Sequence, residues 1–193
     1  MKYADFLASE QLTKEQLIAW GKQTLIDDAP DVIPSLPSPP MLMFDRITSI
    51  THKGKRGSIV AEQDVLLDAW YFMCHFGNDP VQPGCLGVDA IWQLLGMYCA
   101  LRGATGSGRA LGCKEVDFSG QIRPHDKVVT YSVEVRRYAI IQGAAVVIGN
   151  GTVSVDGEQI YTVSDARVGV FPGIRYDDYP ARSANATGGL LNR

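Results

Sequence analysis

The stretch from Pro83 to Leu101 constrains the fold more than any other part of the chain. Val88, Ala90, Ile91, Trp92, Leu94, Leu95, Met97 and Tyr98 spread apolar side chains around almost the whole helical circumference. A helix that is apolar on every side has to be surrounded, either by protein or by lipid. The run from Leu86 to Leu101 falls short of the roughly 20 residues that span a bilayer, and Asp89 and Gln93 interrupt it. We therefore expect a core helix, with no membrane insertion, and enough sheet elsewhere to wrap it.

That sheet is visible downstream. In VVTYSVEVRR, the residues Val129, Tyr131, Val133 and Val135 alternate with Thr130, Ser132, Glu134 and Arg136, the period-two pattern of a half-buried antiparallel strand. AAVVIGNGTVSV and EQIYTVSDARVGVF continue the series, joined through Asp156 and Gly157, a dipeptide suited to two-residue hairpins. Upstream, MLMFDRITSI and SIVAEQDVLL flank HKGKRG, which reads as a hairpin with a solvated basic tip. Gly103 to Gly108 reads as a glycine-rich loop. One buried helix against a long antiparallel sheet is an α+β arrangement in which the sheet curls around the helix.

Thr13 and Gln16 have capping-box spacing, and Leu17, Trp20 and Leu25 follow near helical period, predicting a short amphipathic helix over 13–26. Five of the ten prolines lie between Pro30 and Pro40, a composition that runs extended over a surface. The expected organisation is a helix and Pro-rich linker over 1–40, the main domain over 41–171, and an irregular tail over 172–193. A net charge of −3 removes the broad positive field that nucleic-acid binding requires, so no nucleic-acid partner is expected. The four cysteines have no CxxC spacing, and MKYADFLASEQLTKEQ has acidic residues where a secretion signal carries its apolar core. Both features lead us to expect reduced thiols and a cytoplasmic protein.

The polar residues inside the apolar helix are the anomaly. Cys85, Asp89 and Gln93 fall at i, i+4 and i+8, so they share one stripe on the cylinder. A carboxylate there needs partners; Asp89 could be a structural group satisfied by Gln93 and nearby amides. Just upstream, His75 stands among Trp70, Tyr71, Phe72 and Phe76, where core filling is the simpler reading. Yet the bend GNDPVQPG carries the chain from His75 straight to the helix start. Imidazole, carboxyl and helix-terminal amides then share a small volume, a set suited to removing a proton beside a carbonyl and stabilising the oxyanion. Cys74, His75, Cys85 and Asp89 are also metal-ligand types, but neighbouring strand residues such as Cys74 and His75 would face opposite ways, and no metal is expected.

CHFGNDPVQPGCLGVDAIWQLLG resembles the signature of the bacterial β-hydroxydecanoyl-acyl-carrier-protein dehydratase/isomerases of type II fatty-acid synthesis. MLMFDRI, GRALGCKEVDFSGQIRP and IYTVSDARVGVF are similar to the same family, so the resemblance spans Met41 to Phe171. It implies a hot-dog fold and a homodimer whose active sites join the histidine of one chain to the aspartate of the other. The resemblance places His75 and Asp89 at those two positions. On it, His75 removes the C2 proton of a 3-hydroxyacyl thioester delivered by acyl-carrier protein, and Asp89 protonates the departing C3 hydroxyl. The Gly84 amide binds the thioester carbonyl beside Cys85, Gln93 holds Asp89, and no cofactor takes part. It also implies isomerisation of trans-2- to cis-3-decenoyl chains.

One departure stands out. The family has methionine before the Pro-Gly pair where this chain has Gln82, which either alters the wall near the reacting carbons or faces solvent. Two other functions remain open on the same fold, a thioesterase and a non-catalytic acyl-binding subunit.

Overall fold

Among the described residues, three α-helices and seven strands follow one another: α1 (Tyr3–Leu7), α2 (Lys14–Gly21), β1 (Arg46–Lys53), β2 (Arg56–Asp64), α3 (Gly84–Leu101), β3 (Ser107–Gly112), β4 (Glu115–Phe118), β5 (Val128–Ile141), β6 (Ala144–Val155) and β7 (Glu158–Phe171). This computed structural model describes residues 1–174 together with 178, 180 and 181. Most of the tail expected to be irregular lies outside the described residues.

All seven strands form one antiparallel sheet in the order β1-β2-β5-β6-β7-β3, with β4 also pairing with β7. Strand β7 is long enough to take both β3 and β4 along one edge, Gly108 opposite Val170 and Val116 opposite Val163. Register shifts between Val135 and Arg137, and between Gly149 and Gly151, are bulges that bend the sheet. The sheet thereby wraps α3, giving the hot-dog fold. Helix α3 is 18 residues long, opens after Pro83, and presses its buried side chains against β5, β6 and β7. Ile91, Leu94 and Leu95 are fully buried. The approach is close enough that a Cβ on Gly151 would lie 2.7 Å from Ile91.

The alternating strand behaves as its pattern predicts, with Val129, Tyr131, Val133 and Val135 all buried in β5. Asp156 and Gly157 form the turn joining β6 to β7, with φ of 49° and 91°, the left-handed pair that two-residue hairpins demand. The upstream hairpin forms as well, but its strands begin at Arg46 and run into the basic segment, leaving only Gly54 and Lys55 as the turn. Two strands differ from expectation. Ser107 and Gly108, the end of the expected loop, belong to β3, and β4 follows it; both are short edge strands whose pairing with β7, not their own apolar pattern, holds them extended.

The capping box of α2 is present, Gln16 N donating to Thr13 Oγ1 at 3.4 Å and Thr13 N to Gln16 Oε1 at 2.8 Å. The helix stops at Gly21, five residues before the predicted end, where Gln23 takes a left-handed φ of 58°. Within the proline-rich run, Pro34 and Leu36 turn inward and are buried, and the Pro34 carbonyl accepts the Trp20 indole N–H at 2.8 Å. Phe6, Leu12, Leu17 and Trp20 belong to the same apolar cluster as the buried face of α3.

Candidate active site

His75 follows a single 3₁₀ turn over Trp70–Met73. The segment is not a strand, so the expectation that Cys74 and His75 face opposite ways by strand alternation does not apply. Tyr71 O receives the His75 backbone N–H at 2.8 Å, and the Val81 N–H returns to His75 O at 2.8 Å. The ring is fixed too: Nδ1 lies 2.9 Å from the Val81 carbonyl oxygen. A carbonyl can only accept, so Nδ1 carries a proton, and in a neutral ring the lone pair then lies on Nε2. Nε2 is the ring nitrogen left available for another partner.

A cleft of about 540 Å³ opens beside the ring, lined among others by His75, Gln82, Gly84, Cys85, Val88, Trp92, Phe118 and Tyr161. One flank of α3 supplies Cys85, Val88 and Trp92; β4 and β7 supply Phe118 and Tyr161, whose rings meet edge to face at 4.7 Å. The wall is largely aromatic and aliphatic, suited to an acyl chain. Burial pushes the Tyr161 phenol up, so it stays neutral. Gly84 is the first residue of α3, where the leading amides have no acceptor inside the helix. A Cβ at Gly84 would come within 2.6 Å of Phe118, so the missing side chain here first makes room for that ring. Further along α3, a Cβ at Gly87 would lie 2.7 Å from Tyr161, whereas one at Gly96 would meet nothing within 4 Å.

Asp89 stands elsewhere. It is not among the residues lining the cleft, and its carboxylate Oδ2 accepts from Gln93 Nε2 at 2.6 Å. Gln93 Nε2 also donates to Met41 O at 2.8 Å, while its Oε1 accepts from Met43 N at 3.2 Å. The stripe of Cys85, Asp89 and Gln93 is thus divided: Cys85 belongs to the cleft, and Asp89 with Gln93 belongs to the flank joined to residues 41–43. Within one chain, the structure brings together His75, Gly84 and Cys85, and separately Asp89 and Gln93. Among the described residues, no group of three or more His, Cys, Asp or Glu is placed to hold a metal ion.

Gln82 lies in the wall and does not face solvent. Its side chain is 1% exposed. Phe118 has no sequence signal of a role in the site, because β4 is not legible as a strand; Tyr161 lies on the expected strand β7, whose pattern does not say which residue reaches the cleft.

The FabA-like domain family matches residues 36–164. The dehydratase heterocomplex ApeI:P from Xenorhabdus doucetiae is a similar solved structure, 12% identical, covering 69% of this chain and 86% of its own with a TM-score of 0.51. The PaaI protein of the Escherichia coli phenylacetic acid degradation operon is 14% identical, covering 63% and 81% at a TM-score of 0.45. A hypothetical thioesterase from Streptococcus pneumoniae TIGR4, solved with coenzyme A, is 14% identical, covering 64% and 84% at a TM-score of 0.47. At such identities the likeness is one of fold.

Proposed function

Because this chain belongs to the FabA-like domain family, we propose that it dehydrates 3-hydroxyacyl thioesters of about ten carbons carried on acyl-carrier protein, and isomerises the trans-2-enoyl product to cis-3. The observation that carries the proposal is His75, with Nδ1 committed to Val81 O and Nε2 left as a base in an apolar cleft that begins at the N-terminus of α3. Nε2 takes the C2 proton, and the electron pair moves through the thioester enolate. A Gly84 amide hydrogen bond and the positive end of the α3 dipole favour that charge. The enolate collapses to the C2–C3 double bond, and the C3 hydroxyl leaves as water after receiving a proton from Asp89. No electrons are gained or lost overall, so the reaction requires no redox cofactor.

Asp89 does not line its own chain's cleft, and this supports a homodimer in which the carboxyl comes from the second copy. Exposed apolar side chains at Leu66, Leu67, Trp70, Met73, Phe76 and Phe118 lie on the His75 segment and the cleft rim, and give such a dimer apolar area to bury. For the carrier protein, Arg136 and Arg137 share a groove of about 590 Å³ with Arg56, Lys114, Arg167 and Asp165, the last paired with Arg136. An acidic carrier would be steered to such a groove. The free thiols of Cys74, Cys85, Cys99 and Cys113 support a cytoplasmic setting.

The test is incubation with 3-hydroxydecanoyl-carrier protein. Growth of enoyl absorbance without free thiol is the expected result, with cis-3 product separating isomerase from simple dehydratase. Release of thiol would instead assign the cleft to a thioesterase. Binding with neither signal would make the chain a non-catalytic acyl-binding subunit.

A further inference from the structure

His75 is held from two sides. Tyr71, in the turn before it, accepts the His75 backbone N–H, and Val81, in the bend after it, holds both the His75 carbonyl and the ring Nδ1. Neither a single 3₁₀ turn nor a bend has the hydrogen-bond ladder that keeps a long helix or strand in place. Their position has to be fixed from outside.

Both supports lead to one buried phenol. Tyr131 lies in β5 and is fully buried. Its hydroxyl accepts from Gln82 Nε2 at 3.4 Å and donates to Gln63 Oε1 at 2.7 Å. Gln63 Nε2 in turn donates to the Tyr71 hydroxyl at 3.2 Å. One arm of this relay therefore ends on Tyr71, and the other on Gln82, the residue after Val81. The Gln82 backbone is tied as well, its N–H donating to Ile122 O at 3.0 Å. A hydroxyl has one proton to give, so the relay runs in one direction; turning the Gln82 carboxamide over would ask Tyr131 for a second. In the orientation adopted, Gln82 Oε1 is buried without a hydrogen-bond partner. Burial pushes the Tyr131 phenol well up and the Tyr71 phenol up to about 12, so both keep their protons through the neutral range.

Burying such a polar set is costly. Phenylalanine at 131 with leucine at 63 and 82 would pack without that cost. What the hydroxyl and the two carboxamides add is direction, because they fix the turn and the bend to β5.

We propose that Tyr131 is a positioning residue for His75, anchoring Tyr71 and Val81 to the sheet through Gln63 and Gln82 so that the ring keeps its Nδ1 bond and turns Nε2 to the cleft. The inference rests on the acyl-thioester reading above for the work Nε2 does, whereas the holding of the ring needs no substrate. Tyr131 is not among the residues lining the cleft, so it acts on the reaction only through the histidine.

The test reads the ring directly. In the full chain carrying ¹⁵N-labelled histidine, the two ring nitrogens report which one bears the proton, and His75→Asn identifies which of the three histidine signals belongs to position 75. Neutral His75 in wild type is expected to carry its proton on Nδ1. Tyr131→Phe keeps the aromatic ring and removes only the hydroxyl. It should move part of the His75 population to the Nε2–H tautomer and lower kcat for 3-hydroxydecanoyl-carrier protein by about ten- to a hundredfold, with KM within about twofold of wild type. Gln63→Leu cuts the Tyr71 arm at a half-buried position; it should move both readouts the same way but less, and it carries the test if Tyr131→Phe does not fold. Tyr98→Phe is the control, since that buried hydroxyl donates to Arg56 O at 2.9 Å outside the relay, and it should move neither readout. A wild-type proton on Nε2 overturns the inference at once. An unchanged tautomer and kcat in both relay variants also overturn it, as do equal losses in Tyr98→Phe, which would mark a general loosening of the core. If wild type turns over no acyl thioester, the functional reading fails, and the ring signals alone still decide whether Tyr131 holds His75.

Discussion

The two flanks of α3 are built from neighbouring residues of one helix, yet they are organised for different company. On one flank, Cys85, Val88 and Trp92 face a cleft containing a histidine whose tautomer is set by the Val81 carbonyl. On the other, Asp89 is held by Gln93, which is itself tied to the backbone of Met41 and Met43. Each flank fixes its polar group by hydrogen bonds inside the chain. Neither flank presents base and acid together. On the proposed reaction these two flanks are half-sites, to be joined across a pair of copies.

The strongest way to break this comparison is to remove one group from each flank. His75→Asn and Asp89→Asn should each lower kcat by about 10² to 10⁴, the usual contribution of a positioned acid or base, with folding unchanged by circular dichroism. Unfolded and refolded together in equal amounts, the two variants should recover roughly a quarter of wild-type activity, since half the random dimers contain one intact site of two. No recovery on mixing would mean that both groups act within one chain. A core substitution should instead strike both flanks alike. Leu94 is fully buried in α3, and Leu94→Ala should lower unfolding stability in urea by about 2–5 kcal/mol without distinguishing the two half-sites.

Smaller changes sharpen the contrast. Gln93→Leu frees Asp89 and leaves the Met43 amide without its acceptor, so kcat should fall about tenfold and stability by roughly 1–3 kcal/mol, while KM for an acyl thioester stays near wild type. Gly84→Ala acts on the opposite flank. Its new Cβ would press on Phe118, 2.6 Å away, but that ring is exposed and can shift. A few-fold rise in KM is expected, with a stability change of about 1 kcal/mol or less by thermal melting.

Much of the fold is legible because burial repeats. The all-round apolar helix, the alternation in β5 and the Asp156-Gly157 turn each encode their structure over neighbouring residues, and each is where the pattern places it. Strands β3 and β4 are not legible in this way, because Ser107–Gly112 and Glu115–Phe118 are extended by the edge of β7, a partner some fifty residues downstream. The site divides along the same line. His75 and the Cys85–Asp89–Gln93 spacing can be read locally. The division of that stripe between two flanks cannot, because it depends on Met41 and Met43 reaching Gln93 from outside the helix. For Gln82, a glutamine beside prolines looks like a surface residue; only the return of Ile122 and Tyr131 to that point buries it.

The double use of Gln93 Nε2 has a consequence for how the site could be adjusted from a distance. One nitrogen is shared between the Asp89 carboxylate and the Met41 carbonyl, and Met41 leads directly from the proline-rich arm that threads Pro34 and Leu36 into the core. The arm and the acid therefore share a joint. Gln93 Nε2 has two N–H donors, one for each acceptor, so a single carboxamide bolts the Met41 backbone to the Asp89 carboxylate, and turning that carboxamide would release both at once.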